Sequence, residues 1–297
     1  MTHAEFKKAA EKHQVEYKEK YINKDYRKFS NKSVKYWLTD EDGKEGKIYY
    51  DKYFDIFKAV RERYPNFDAM RDSNMLRSEH IPFNLFVPLK QNFEFCKKVF
   101  NQILGNEFID KIEKIEIEYA PKKTKEKKYL NDRTSFDAYI EYTCTDNLKG
   151  IIGIEVKYTE KEYELEEGSK QEKDINDKTG KYYSVTNESG IYKPNVIEKL
   201  KTDLFRQIWR NHLLAESILI EDKEKFKHAH SHSLIFYPSG NAHFTEVGNK
   251  YIEMLADDKK DKFGLVTFEK FIDICRNCKP NNEFEEWINY LKDRYII

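Results

Sequence analysis

Two carboxylates and a lysine near the middle of the chain have the types and the spacing of a metal-dependent hydrolytic site. Glu155 and Lys157 are two positions apart in "GIIGIEVK", and Asp137 lies upstream in "SFDAYIEY". Carboxylates held close together repel each other and raise each other's pKa unless a cation lies between them. A hard divalent ion, Mg²⁺ in particular, suits such a pair, and a neighbouring lysine can hold a phosphate or the attacking water. The three residue types together indicate phosphoryl chemistry.

A β-hairpin is the element that would bring these residues together. Side chains alternate along a strand, so Glu155 and Lys157 share one face of the second strand. If the turn is centred at Asp146, Asp137 lies opposite Glu155, and a centre at Asn147 places it opposite Lys157 instead. A centre between two residues would put Asp137 on the other face. The spacing therefore permits the site without requiring it.

The bare Glu-x-Lys pattern has little specificity in this chain. It recurs at 5–7, 16–18, 45–47 and 126–128, and only residues 155–157 end an apolar strand that follows an Asp-bearing strand. The competing interpretation is an exposed sheet face with ordinary cross-strand charge pairs. The strand register decides between the two.

The amino-acid composition excludes several classes of protein. It has 297 residues, 39% of them hydrophobic, and its 53 basic and 53 acidic residues give a formal net charge of +0. A protein that coats nucleic acid generally would be basic, so any nucleic-acid binding must depend on local patches. Four cysteines are too few for a disulfide framework at this length. No apolar segment resembles a signal peptide or reaches the ~20 residues that span a membrane, so we expect a cytoplasmic protein without membrane association.

Periodicity along the chain predicts an α/β fold with a mixed central β-sheet flanked by helices. Charges at nearly every second position over 4–28 indicate a long exposed helix, and the apolar residues of 75–104 supply core helices. Strands at about 111–119, 133–143 and 149–158 should be consecutive neighbours in one sheet. Two more strands, "HSLIFYP" and "FGLVTF", follow the long helical segment "NVIEKLKTDLFRQIWRNHLLAESILI".

No repeat or sharp composition break divides the chain. We expect residues 1–70 to form a helical N-terminal extension packed on a core of residues 71–297. Residues 159–193 are charged with little periodicity, so we expect a long loop or mobile insertion there.

Several of these segments resemble the PD-(D/E)XK nuclease superfamily, the restriction-endonuclease-like fold, and a bacterial restriction-endonuclease-like branch of it. The superfamily signature is an Asp on one strand followed by Asp/Glu-x-Lys on the next, as in "FDAYIEY" and "GIIGIEVK". The resemblance extends to "LTDEDGKEG", "SEHIPFNLFVPL" and "RQIWRNHLLA", and covers about residues 30–275. It implies a Mg²⁺-dependent nuclease that hydrolyses DNA phosphodiester bonds in restriction, defence or repair, and leaves 5′-phosphate and 3′-hydroxyl ends.

The resemblance also assigns roles to the central residues. Asp137 and Glu155 would ligate Mg²⁺, for which Mn²⁺ can substitute. Val156 would offer its backbone carbonyl to the same ion. Lys157 would position or activate the hydrolytic water.

Two outlying residues match supporting positions of the superfamily. Glu79 matches an acidic residue that some members place on the first core helix. Gln207 matches a helix glutamine that supports the site in several members, although Asn211 stands where their tyrosine companion would.

A non-catalytic nucleic-acid- or protein-binding module on the same fold is the alternative function. Degenerate members of the superfamily lose the Asp or the Lys, whereas Asp137, Glu155 and Lys157 are all present here, which favours the enzyme. The sequence leaves open whether the substrate is DNA or RNA and single- or double-stranded. It also leaves open the cleavage specificity, a partner methyltransferase and the oligomeric state, a homodimer included.

Three further groups could bind a ligand. The loop "PKKTKEKK" is either solvated or contacts DNA phosphates through its five lysines, which are Lys122, Lys123, Lys125, Lys127 and Lys128. His228, His230 and His232 lie at strand spacing on one face, which suits Zn²⁺, although solvated surface histidines are the simpler interpretation because no fourth ligand is apparent. Cys275 and Cys278 form a lone pair that could serve structural zinc or redox chemistry.

Overall fold

Helices surround a five-stranded β-sheet in the computed structural model of the chain, which describes residues 1–29, 32–121, 128–226 and 229–297. The strands of the described residues are β1 (Lys28–Phe29), β2 (Lys32–Ser33), β3 (Ile109–Tyr119), β4 (Phe136–Cys144), β5 (Lys149–Val156), β6 (His230–Tyr237) and β7 (Phe263–Thr267). The α-helices are α1 (His3–Tyr21), α2 (Asp40–Lys44), α3 (Ile56–Arg63), α4 (Ala69–Asp72), α5 (Ile81–Gln91), α6 (Phe93–Leu104), α7 (Lys170–Asn176), α8 (Lys181–Ser189), α9 (Ile197–Leu200), α10 (Asp203–Glu221), α11 (Ala242–Ile252), α12 (Phe268–Cys278) and α13 (Asn282–Tyr295), and a 3-10 helix spans Asp257–Lys262.

The central sheet is mixed and has the order β3-β4-β5-β6-β7. The first three strands are antiparallel neighbours, while β6 and β7 continue the sheet in parallel with β5. Parallel neighbours need a crossover connection, and α10 and α11 lie in the two connections here. This architecture confirms the predicted mixed sheet with flanking helices and the predicted consecutive pairing of the first three strands.

The register of the β4–β5 hairpin decides which side chains share a face. Ala138 pairs with Ile154 and Tyr139 pairs with Gly153, so the hairpin is centred on residue 146. The same register, continued by one residue, places Asp137 opposite Glu155. This is the first of the two registers that the spacing permitted.

Each face of the sheet is covered by its own buried cluster. On one face, Ile140 and Ile152 pack with apolar residues of α5, α6, α12 and α13. On the other face, Tyr139 and Ile151 pack with apolar residues of α8, α10 and α11. Because side chains alternate along a strand, Glu155 belongs to the same face as Ile151 and points toward α10.

The N-terminal helix packs on the same core. Phe6 and Ala10 of α1 are buried in the cluster that contains α5, α6, α12 and α13. Gln14 Nε2 donates to Tyr158 Oη and to the carbonyl of Arg294, both at 2.7 Å. Residues on both sides of position 70 therefore share one buried cluster, and a domain boundary at that position stays a prediction.

The first helix is shorter than its charge pattern predicts. It ends at Tyr21 rather than at residue 28. The buried ammonium of Lys18 donates to the carbonyls of Asn23 at 3.1 Å and Asp25 at 2.6 Å, which turns the chain back against the helix. Across the described residues, no helix combines the length and the apolar character needed to cross a membrane.

Residues 159–193 contain two helices, α7 and α8, where we expected a long loop. Tyr182 is buried, and its ring packs against that of Trp209 on α10 with centroids 5.0 Å apart. Trp209 Nε1 also donates to Thr186 Oγ1 at 3.1 Å. The long-loop alternative is therefore wrong over 170–176 and 181–189, because a few apolar positions among many charges suffice to dock a short helix on α10. A mobile insertion stays a prediction.

Gly153 provides a test of the packing between β4 and β5. A Cβ at this position would come within 2.3 Å of Phe136 Cε1, so the ring occupies the space of the missing side chain. We predict that Gly153→Ala lowers the free energy of unfolding, measured by urea denaturation, by about 1–3 kcal/mol. In a Phe136→Leu background the loss should shrink because the shorter side chain leaves room. An equal loss in both backgrounds would show that the ring is not the obstacle.

Candidate active site

Three carboxylates lie side by side across β3, β4 and β5. The register of β3 with β4 places Glu118 opposite Asp137, and that of β4 with β5 places Asp137 opposite Glu155. The charges of Glu118 and Glu155 both act on Asp137. We call Glu118, Asp137 and Glu155 the carboxylate row. Neighbouring positions on adjacent strands are close enough for like charges to destabilise the sheet unless something compensates them.

Asp137 occupies the centre of the row. The backbone N–H of Val156 donates to Asp137 Oδ2 at 2.6 Å, which ties the carboxylate to the end of β5. Burial raises the pKa of Asp137 well above its ordinary range, and the charges of Glu155 and Glu118 add to this effect. The Lys157 ammonium and the Val156 N–H act in the opposite direction without cancelling it. Asp137 is thus held in a position where its negative charge is poorly compensated.

Glu155 is the most completely hydrogen-bonded member of the row. Lys157 Nζ and Gln207 Nε2 both donate to Glu155 Oε1 at 2.6 Å, and Asn211 Nδ2 donates to Oε2. Gln207 and Asn211 are four residues apart on α10, so they lie on the same side of the helix and both face β5. The structure therefore places Gln207 beside Glu155 and adds Asn211 as a second donor, and a supporting role for Gln207 in the site stays a prediction.

Lys157 is almost fully buried, with 7% of its surface exposed. Burial lowers the pKa of this ammonium, but attraction to Glu155 and Asp137 outweighs burial, and the net pKa is raised. The side chain is therefore a cation at neutral pH. It can donate hydrogen bonds to a water or a phosphate oxygen, and it cannot take up a proton there.

Glu118 is a member of the site that the sequence analysis missed. Burial, with the charges of Glu155 and Glu79, raises its pKa to about 7, although Tyr64 and Arg63 act in the opposite direction. Its φ of 55° lies in the left-handed region, which is uncommon for a residue other than glycine. The sequence pattern did not distinguish Glu118, because Glu113, Glu116 and Glu118 are all acidic residues of the same charged and apolar segment.

A network around Arg210 holds the start of β4 and residues 159–193 against α10. Its guanidinium donates to Asp132 at 3.1 Å, to Thr134 at 2.8 Å, to the Tyr182 hydroxyl at 3.0 Å and to the Tyr163 hydroxyl at 2.7 Å. Asp132 and Thr134 lie just before the strand that carries Asp137. One helix, α10, therefore supports Glu155 directly and fixes the entry of the Asp137 strand.

Glu79 lies just before α5 and not on it. Arg77 Nε donates to Glu79 Oε2 at 3.0 Å, and a second nitrogen of the same guanidinium donates to Oε1. Among the described residues, Arg77 is the hydrogen-bond partner of the Glu79 carboxylate. The negative charge of Glu79 also contributes to the raised pKa of Glu118. A metal-binding role for Glu79 stays a prediction.

A narrow cleft opens beside the row. It is lined by residues that include Glu155, Lys157, Gln207 and Ile235, with Glu162 at its rim. Its volume of about 10 Å³ is close to the minimum that holds one water. The arrangement can therefore keep a small ion or a water near Glu155 and Lys157, whereas a nucleic acid would have to approach from outside the cleft.

The basic loop falls mostly outside the described part of the chain. Lys122, Lys123, Lys125 and Lys127 are not described, and Lys128 is the first described residue after that gap. Their role in nucleic-acid binding stays a prediction.

The histidine and cysteine groups are placed as follows. His228 lies outside the described residues, whereas His232 is buried and its Nδ1 lies 3.2 Å from Tyr142 Oη. The expectation of solvated surface histidines is therefore wrong for His232. Cys275 and Cys278 lie on α12 as free thiols, and within the described residues neither belongs to a group that could hold a metal.

Comparison with known proteins agrees with the geometry. The sequence model of the PD-(D/E)XK nuclease superfamily matches residues 2–297, which is nearly the whole chain. No curated protein and no solved structure gives a significant match.

The raised pKa of Glu118 predicts how stability depends on pH. A carboxyl group whose pKa is higher in the folded state binds more protons there, so stability is full below the unfolded pKa and falls as pH rises. For Glu118 that fall extends from its ordinary pKa of 4.5 to about 7. We predict that, without divalent ions, Glu118→Gln raises the free energy of unfolding at pH 8 by about 1–3 kcal/mol and has little effect at pH 4.5.

Urea denaturation at the two pH values in EDTA measures this effect. Glu116→Gln is the matched control, because Glu116 lies on the same strand but is partly exposed and ion-paired with Lys90 at 2.8 Å. It should leave the pH dependence unchanged. The same pH dependence in Glu118→Gln and in the wild type would contradict the assignment.

Proposed function

The chain belongs to the PD-(D/E)XK nuclease superfamily, and on that premise we propose that it is a metal-dependent nuclease that hydrolyses phosphodiester bonds of DNA. The observation that supports this most directly is the convergence of Asp137, Glu155 and Lys157 at the end of one hairpin, with Lys157 Nζ 2.6 Å from Glu155. Members of the superfamily are generally nucleases. A complete set of these residue types favours catalysis over a binding module on the same fold.

The donor set of the site suits Mg²⁺, and Mn²⁺ can substitute. Asp137, Glu155 and the backbone carbonyl of Val156 would hold the ion, all through oxygen atoms, with waters filling the remaining positions. The oxygens of Glu155 already accept hydrogen bonds, but an ionised carboxylate offers about four lone-pair sites, so a metal bond remains open. Burial and the charges of Glu155 and Glu118 raise the pKa of Asp137, and a bound cation would offset these effects. A bound ion would polarise the phosphate and stabilise charge on the leaving oxygen.

The chain's own residues would supply positioning and electrostatic stabilisation. Lys157, cationic and buried, would orient the attacking water or contact a phosphate oxygen, and its charge would stabilise the transition state. Gln207 and Asn211 would hold the Glu155 carboxylate in one orientation while Lys157 exchanges its contact for the substrate. Glu118, with a pKa of about 7, is the group in the row best suited to accept or donate a proton near neutral pH.

DNA is the substrate that we propose, and a role in restriction, defence or repair would follow from it. The lysines of 122–128 lie directly before the Asp137 strand in sequence, so phosphate contacts there would place a backbone beside the carboxylate row. Because basic and acidic residues are equal in number, DNA binding would depend on this local group of lysines. Parallel assays on DNA and RNA, single- and double-stranded, separate the substrate classes.

Substitutions of the three central residues test the proposed chemistry. We predict that Asp137→Asn and Glu155→Gln abolish Mg²⁺-dependent cleavage of plasmid DNA, because each removes an ion ligand. Lys157→Met should also abolish cleavage while divalent binding persists, because the lysine serves the water and the phosphate. Plasmid nicking and calorimetric Mn²⁺ titration measure the two properties separately.

Matched controls are available on the same two strands. Glu141→Gln on β4 removes a buried carboxylate that contacts Lys225 at 2.5 Å, and Lys149→Met on β5 removes a lysine that contacts Glu113 at 3.2 Å. Both should keep cleavage. Cleavage that persists in Asp137→Asn or Glu155→Gln would refute the assignment, and wild-type protein that binds nucleic acid without cutting any substrate would support the binding module.

Replacing the lysines at 122, 123, 125, 127 and 128 with Gln tests the substrate interaction. In a Lys157→Met background, which prevents cleavage, we predict weaker DNA binding and a flatter salt dependence, by about one unit of slope for each lysine–phosphate interaction that the substitutions remove. The control replaces five exposed lysines near α1, namely Lys7, Lys8, Lys12, Lys20 and Lys24. Fluorescence anisotropy across a salt series provides the slopes. Equal slopes in the two variants would show that the loop lysines are solvated and do not contact DNA phosphates.

A further inference from the structure

A second group of metal-capable side chains lies at the other end of the central sheet. Cys144 ends β4, Asp146 lies in the β4–β5 turn, and His230 begins β6. One ligand atom from each residue lies within 4.8 Å of the other two. His230 pairs with Gly150, which is five residues before Glu155 on β5. At about 3.3 Å per residue, the group lies roughly 17 Å from the carboxylate row.

The backbone around this group is closely held. Cys144 N donates to the carbonyl of Leu148 at 2.8 Å, and Asn147 N donates to the carbonyl of Cys144 at 2.9 Å. Asp146 Oδ1 accepts from Leu148 N at 2.9 Å, which leaves the second carboxylate oxygen for a ligand. In the described part of the chain, neither the Cys144 thiol nor the His230 ring takes part in a hydrogen bond. The turn is thus fixed while its ligand atoms stay available.

The three residues of this group differ in their exposure to solvent. Asp146 is exposed, His230 is partly exposed and Cys144 is buried. An ion could therefore reach the thiol past the two outer ligands. His232, on the same strand as His230, is hydrogen-bonded to Tyr142, so the group differs from the histidine trio that spacing alone suggested.

We propose that Cys144, Asp146 and His230 bind a divalent transition-metal ion of the Zn²⁺ type. A thiolate, an imidazole and a carboxylate are the ligand types of protein zinc, and three of them leave one tetrahedral position for a water. Mg²⁺ and Ca²⁺ prefer oxygen ligands throughout and are disfavoured here. The two ends of the sheet would thus select different ions, a hard one at the carboxylate row and a softer one at the Cys144 group.

The bound ion would link the β4–β5 hairpin to β6, which pairs in parallel with β5. Cys144 and Asp146 belong to the antiparallel β4–β5 unit, while His230 belongs to β6, which enters the sheet only after the long connection through α10. A ligand that binds only the folded state stabilises it, by an amount that grows with the logarithm of the free ligand concentration once that exceeds the Kd. This inference does not depend on the proposed nuclease activity, because the two sites share no residue.

Cobalt titration of the metal-free protein under reducing conditions tests the proposal. Co²⁺ replaces Zn²⁺ in such sites, and a sulfur ligand gives a thiolate-to-metal charge-transfer absorption that an oxygen-only site lacks. We expect one equivalent of Co²⁺ to produce this band, stoichiometric Zn²⁺ to abolish it, and excess Mg²⁺ to leave it unchanged. Asp137→Asn should keep the band, which separates this site from the carboxylate row.

Ligand variants decide the assignment. Cys144→Ser should abolish the band, and Asp146→Asn should weaken Co²⁺ binding by at least about tenfold, since even an indirect partner of a metal ligand is worth about that much. Asp146→Asn retains an acceptor for Leu148 N, so it remains informative if Cys144→Ser fails to fold. Cys278→Ser, which removes a partly exposed thiol elsewhere, is the control and should keep the band. No band in the wild type, or an unchanged affinity in Asp146→Asn, would overturn the proposal.

Discussion

The repulsion among three neighbouring carboxylates is the constraint on which the site depends. Glu118, Asp137 and Glu155 occupy one row across β3, β4 and β5, and the ammonium of Lys157 contacts the row at Glu155. Burial raises the pKa values of Glu118 and Asp137, and repulsion from the neighbouring carboxylates adds to this effect. Such an arrangement lowers stability unless a cation joins it, which is the usual relation between a functional site and the fold that supports it.

The rest of the structure can be understood as the framework that enforces this arrangement. The apolar packing on both faces of the hairpin fixes its register, because a slip of one residue would remove Ile140 and Ile152 from their cluster and turn Asp137 away from Glu155. Helix α10 then acts on both strands. Gln207 and Asn211 hold Glu155, while Arg210 fixes Asp132 and Thr134 just before the Asp137 strand. The carboxylates cannot move apart without unpacking the helix or the sheet.

Much of this was predictable from the sequence, and the exceptions have physical causes. The pairing of the first three strands follows from alternation. The spacing left more than one register open, and the structure selects the one that places Asp137 opposite Glu155. The supporting role of Gln207 is what the resemblance implies. Glu118 escaped notice because its importance depends on a neighbouring strand and on a left-handed backbone, neither of which a sequence pattern contains. Helix α8 was not predicted because its stability comes from tertiary packing of Tyr182 on Trp209 rather than from an apolar stripe. The Cys144 group joins residues distant in sequence, so spacing alone could not find it.

The proposed activity requires a cation between Asp137 and Glu155, and anomalous diffraction from crystals soaked in Mn²⁺ tests this most directly. We predict an anomalous difference peak within about 2.0–2.6 Å of carboxylate oxygens of both residues and of the Val156 carbonyl. The same peak should be absent from crystals of Asp137→Asn grown under identical conditions. Density that shows Asp137 and Glu155 without an ion at high Mn²⁺ concentration, with Lys157 still paired to Glu155, would contradict the central claim.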